Sequence, residues 1–156
     1  DAVEIPVIAA GGIGDGRGVA AAFMLGACGV QLGTRFLVAK ECTIHQNYKN
    51  KVLAARDIDT MTTGKRFGHP VRCLKNDFSR MLAENEYKPG ITAEEFEKLG
   101  VGALRKAVLD GDTAGGSFMC GQIAGMVDRE QTCAEIIREL FTQAEDVLER
   151  TKIWEK

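Results

Sequence analysis

Several residue types are scarce, and each scarcity excludes something. Only two histidines are present, His45 and His69, and neither stands beside a Ser or Cys in a triad-like motif. A locally encoded hydrolytic triad is therefore absent. Glu41 and His45 share the i, i+4 spacing of a helical metal pair, but further ligands are lacking nearby, so no metal site is assigned. The five cysteines (28, 42, 73, 120 and 133) are odd in number and form no CxxC, which argues for free thiols, small and buried or half-buried, in a reducing, cytoplasmic compartment. Net charge is only -2, with signs mixed along the chain. The sequence thus has no basic stripe for nucleic acid and no polybasic tract for a membrane surface. No apolar run approaches the ~20 residues that span a bilayer. The opening lacks a charged signal-peptide region, and Asp1 leads at once into an apolar strand, as expected of a truncated core element.

What is present is a globular pattern, 45% hydrophobic and 27% charged, over 156 residues, enough for one domain. Residues 5–10 (IPVIAA) form a short apolar run closed by Gly11-Gly12. This reads as a strand buried on both faces, as in a parallel sheet. Asp15 is placed to cap a helix over Val19–Leu25, and residues 29–33 (GVQLG) make the next strand. Strand, helix and strand within about thirty residues form a βαβ unit, hence a parallel pair.

The remainder, 35–156, reads as mostly helical. A helix is expected from Thr34 to about Ala55, a short extended piece over Ile58–Gly64, a turn at Phe67–Pro70, and mainly helix from Val71 to about Asn85. Thr92 with Glu95 and Thr132 with Glu135 have the spacing of capping boxes. They open helices over Thr92–Leu99 and on to about Arg150, with a short helix at Gly102–Leu109 between them. Ile136, Ile137, Leu140, Phe141, Ala144 and Leu148 mark the apolar face of the last helix. Gly111–Gly125 is glycine-rich and nearly uncharged, a composition kept where a backbone or ligand must come close.

The strongest chemical signal is the pair of glycine turns, Gly11-Gly12 and Gly33-Thr34, after two consecutive strands. Glycine lets backbone N–H groups approach phosphate oxygens, and Thr34 adds a hydroxyl donor. In (β/α)8 barrels such turns at the strands' C-terminal ends are frequent phosphate sites. The alternative is that they only make tight turns. GGIGDG is not a dinucleotide fingerprint, because its spacing differs from GxGxxG.

The segment IPVIAAGGIGDGRGVAAAFMLGACGVQLGTRF resembles the last two strands of the flavin barrel in the enoyl-acyl-carrier-protein reductase II and nitronate monooxygenase family. NYKNKVLAARDIDT, FGHPVRCLKN and GDTAGGSFMCGQIAGMV resemble the reductase branch in particular. The resemblance covers essentially the whole chain. It implies an α/β fold, the C-terminal portion of an FMN-binding (β/α)8 barrel with a helical extension, ordered as one partial domain over 1–156. It also implies an FMN-dependent oxidoreductase that passes hydride from NADH or NADPH to an enoyl thioester on acyl-carrier protein, in fatty-acid biosynthesis. A homodimer is implied for the intact protein.

Carried onto this sequence, the flavin phosphate falls to Gly11, Gly12, Gly33 and Thr34. Gln31 falls beside the flavin, and Met119-Cys120-Gly121-Gln122 in a loop approaching it. Cys120 stands where the family often has alanine. The family's catalytic histidine lies in a segment upstream of these strands, so His45 and His69 do not inherit its role. No catalytic residue is assigned in this chain. Two other outcomes are carried forward: nitronate oxidation with O2, and an inactive chain that needs an N-terminal partner. Two parallel strands cannot close a barrel, so the chain alone is expected to expose apolar surface and to be poorly stable or oligomeric.

Overall fold

A computed structural model describes residues 2–151. Asp1, where the sequence reading opens the chain, and the end of the 35–156 segment beyond Thr151 lie outside the described residues. The chain divides into two compact units, the first made of the segment up to Cys42 together with that from Arg129 onward, the second of Thr43–Asp128. The return of the C-terminal helix to the first unit depends on contacts far apart in sequence, so no local pattern announces it.

In the first unit, β1 (Ile8–Ala10) pairs in parallel with β2 (Gly29–Gln31), in the register Ile8–Gly29, Ala9–Val30 and Ala10–Gln31. Helix α1 (Gly16–Met24) crosses between them, as the βαβ reading requires. Both strands are shorter than the expected 5–10 and 29–33. Burial on both faces is also corrected: Ile5, Val7 and Ile8 are exposed, at 71%, 49% and 53%. A two-stranded ladder has little sheet to cover its faces, and these apolar residues at and before β1 stay open.

Helix α7 (Cys133–Thr151) opens on its expected capping box: Thr132 Oγ1 accepts from Glu135 N at 3.2 Å and the Glu135 carboxylate accepts from Thr132 N at 2.7 Å. Its Ile136, Leu140 and Ala144 are buried with Val19, Ala20 and Ala22 of α1 in one core, while Ile137 and Phe141 stay exposed. The two helices approach so closely at Gly16 that a Cβ there would lie 2.6 Å from the Ala144 amide nitrogen and 2.6 Å from the Leu140 carbonyl oxygen.

The expected Thr34–Ala55 helix is two pieces, α2 (Thr34–Leu37) and α3 (Gln46–Leu53). The break has a long-range cause: Lys40 N donates to Gln131 O at 2.8 Å, and this bridge needs extended backbone at Ala39. His45 then caps α3, its Nδ1 accepting from Asn47 N at 3.1 Å.

The second unit is built on a hairpin. The extended piece appears as β3 (Thr60–Thr63), but Val71–Leu74 is strand β4, antiparallel to β3, and not the start of a helix. Helix α4 (Asp77–Glu86) begins only after Asn76, which forms a capping box with Ser79. Leu74 had looked helical because it lies four residues before Phe78. Helix α5 (Ala93–Gly100) carries the expected Thr92–Glu95 box. Helix α6 (Ala103–Arg105) continues as a wider π turn over Lys106–Asp110. Phe78, Leu82, Phe96 and Ala103 form this unit's apolar cluster.

Candidate functional site

Because β1 and β2 run parallel and Ala10 pairs with Gln31, the turns that follow them emerge at one end of the ladder. Gly11 and Gly12 hold φ of 92° and 74°, left-handed values that cost an L side chain about 1–2 kcal/mol. Both are exposed, and a Cβ on either would meet nothing within 4 Å. Gly33, also exposed with open space around it, precedes α2 and offers no side chain to cap that first turn. Thr34 is buried within the turn and Gln31 is exposed at the strand end. Gly11, Gly12, Gln31, Gly33 and Thr34 thus gather at one rim of the first unit.

The start of α1 is a different environment. Asp15 Oδ1 accepts from Arg17 N at 3.0 Å and Gly18 N at 3.4 Å, and Gln143 Oε1 accepts from Gly16 N at 3.0 Å. Burial pushes the Asp15 carboxyl up, but the bonds from the Arg17 side chain and the two amides outweigh it and hold it below its ordinary value. A charged carboxylate already occupies these donors. The amides at the start of α1 are thus already engaged.

Gly121 and Gln122 lie in the second unit, half-buried and exposed respectively, at the start of a 3-10 turn (Gln122–Met126). The stretch before them is more ordered than its glycine content suggests. Leu74 N donates to Phe118 O at 2.9 Å and Cys120 N to Arg72 O at 3.3 Å, so residues 118–120 lie against β4 at one antiparallel bridge, Cys73–Met119. Tyr48 Oη donates to Met119 O at 2.7 Å. This clamp fixes the backbone that leads into Gly121.

The sequence reading missed Arg35, which is 5% exposed. Its guanidinium donates to Gln131 Oε1 and to Arg129 O, with Glu139 at 3.8 Å. It ties the turn after β2 to the base of α7, and so positions the rim without facing it. A basic residue directly after Gly33-Thr34 was visible in the sequence, but partners about a hundred positions away were not.

All five cysteines are free. Burial pushes the Cys73 thiol up, and burial with Cys73 beside it pushes Cys120 up to about 12, so neither is a thiolate nucleophile at neutral pH. Cys28 departs from the expected burial and is exposed. Among the described residues no group of three or more His, Cys, Asp or Glu is arranged to hold a metal. No helix among them is long and apolar enough to cross a membrane.

Residues 1–143 match the family described as nitronate monooxygenase. The chain belongs to this family. It is 36% identical over 151 residues to a "Probable nitronate monooxygenase" of Staphylococcus saprophyticus, covering 96% of this chain and 42% of that protein. Among solved structures, FabK from Thermotoga maritima superposes with a TM-score of 0.91 at 44% identity, over 97% of this chain and 48% of that one. A nitroalkane oxidase from Streptomyces ansochromogenes gives 0.75 at 30% identity, over 97% of this chain and 42% of that one. The chain therefore spans a little under half the length of these relatives. Its fold is part of the (β/α)8 barrel they share, and the family is one of flavin-dependent oxidoreductases.

Proposed function

We propose that the chain supplies the last two strands and the phosphate-holding rim of an FMN-dependent enoyl-acyl-carrier-protein reductase. The observation that carries this reading is the rim itself: two glycine turns at the C-terminal ends of paired parallel strands, with open space around Gly11, Gly12 and Gly33. That arrangement fits the phosphate of a flavin mononucleotide. Left-handed backbone such as that at Gly11 and Gly12 is suited to an anion nest, and Gly33 adds no capping side chain to the first turn of α2. Gln31, Gly121 and Gln122 are assigned to the flavin's polar edge.

Bound flavin supplies two-electron chemistry between a nicotinamide and an enoyl thioester, while the protein supplies binding and orientation. The residues of this chain bind and orient. No acid/base group is assigned among them, and His45 is already committed to capping α3. The reductase reading draws support from the 0.91 TM-score and 44% identity with FabK. A cytoplasmic homodimer completes the proposal.

The discriminating assay uses the full-length flavin-loaded protein. NADH or NADPH consumption that depends on a crotonyl thioester supports the reductase. Oxygen uptake driven by an alkyl nitronate, without thioester turnover, supports the monooxygenase. A second reading concerns the 156-residue chain by itself. Exposed Ile5, Val7 and Ile8 favour a chain that is inactive until this strand face is covered. Its thermal transition is expected to depend on protein concentration; a sharp, concentration-independent transition of a monomer contradicts that reading.

A further inference from the structure

The second unit holds a cavity of about 190 Å³ that touches the loop expected to approach the flavin only at Met119. Phe67, Val71, Phe78, Leu82, Phe96 and Leu104 make its walls apolar. His69 and Glu97 at its edge are 76% and 61% exposed, so their polar ends reach solvent and do not press on the lining. Protein cores rarely keep voids larger than a water molecule. Here three constraints prevent collapse. The Glu86 carboxylate accepts from Gly64 N at 2.9 Å and Arg66 N at 2.8 Å, fixing the turn after β3. Tyr48 fixes the Met119 carbonyl, and β4 fixes residues 118 and 120.

That last stretch leads from the cavity to Gly121, a residue proposed for the flavin. Side chains alternate along an extended segment. Phe118 and Cys120 are buried, Phe118 with its ring 4.8 Å from that of Tyr48, while Ser117 and Met119 line the cavity. Two residues beyond Met119 stands Gly121, about 7 Å along an extended chain. The cavity is smaller than the ~300–1,000 Å³ of sites that enclose whole ligands. An apolar cavity of ~150 Å³ admits benzene, so this one has room for about six carbons. It fits the tail of a ligand whose polar end lies elsewhere.

We infer that this cavity receives the hydrocarbon tail of the acyl thioester, an inference that rests on the reductase reading. The test compares kcat/KM for crotonyl and octenoyl thioesters of the same carrier in the full-length flavin-loaded protein. Leu104, 43% exposed, tolerates replacement without loss of a core contact. Leu104→Trp narrows the cavity and is expected to lower the octenoyl-to-crotonyl ratio about tenfold. Leu104→Ala widens it and is expected to move the preferred length beyond eight carbons. A ratio unchanged in both folded variants overturns the inference while leaving the reductase reading intact. If no thioester of any length is turned over, the reductase reading fails and the cavity is judged by calorimetry with octanoyl- and acetyl-coenzyme A. Tighter octanoyl binding that Leu104→Trp weakens upholds the cavity, and equal binding overturns it.

Discussion

The two units differ in what brings their main elements together. The first joins α1 to α7 through small residues, Gly16, Ala20 and Ala144, so that two backbones meet almost directly. The second braces its elements with buried polar groups. Asn76 Nδ2 donates to the carbonyls of Thr113, Ala114 and Gly116, and Glu86, 2% exposed, accepts from two backbone amides. Close helix packing brings the α1 and α7 backbones together, and the proposed phosphate rim lies at the strand ends. Polar bracing allows a hollow, which suits a unit that surrounds part of a ligand.

The comparison breaks most sharply at Gly16. Gly16→Val drives side-chain atoms into the α7 backbone, and a loss of roughly 3 kcal/mol or more is expected. Thermal unfolding gives the magnitude, and hydrogen exchange is expected to rise first in α1 and α7. Glu86→Gln should cost about 2 kcal/mol, because one amide donor now faces a buried N–H. Its exchange signature belongs to Gly64–Phe67 and α4. If either variant loosens the other's elements first, the two-unit comparison is wrong.

A smaller effect separates the units by pH. The hydrogen bond from Gln131, with Arg129 and Arg35 nearby, holds the Glu139 carboxyl below its ordinary value of 4.5. A lowered folded-state pKa stabilises the protein above the unfolded value, and that contribution is lost as pH falls through the folded value. Acid titration below about 4.5 should therefore weaken the base of α7, and Glu139→Gln should flatten that part of the stability profile. An equally steep profile in the variant contradicts the assignment.

Local chemistry carried much of this architecture in the sequence. The Asp15 cap and the Thr92 and Thr132 boxes involve partners two or three residues apart, and all three form. The βαβ pattern was legible for the same reason, since thirty residues contain it. What escaped depends on distant partners: Gln131 breaking the helix after Leu37, residues 118–120 lying against β4, and α7 returning to α1. Val71–Leu74 was misread because a four-residue strand followed by a helix can mimic helical spacing across the junction. At the candidate rim the glycines were legible as chemistry, whereas Arg35, which anchors it, was not.

The central claim is that the glycine turns hold a flavin phosphate, and one measurement addresses it directly. Flavin-free full-length protein and its Gly12→Val variant would be titrated with FMN and with riboflavin, which lacks the phosphate. The wild type is expected to bind FMN at least a hundredfold more tightly than riboflavin, with that preference largely abolished in a folded Gly12→Val protein. Equal affinity for the two flavins, or an unchanged preference in the variant, would contradict the account.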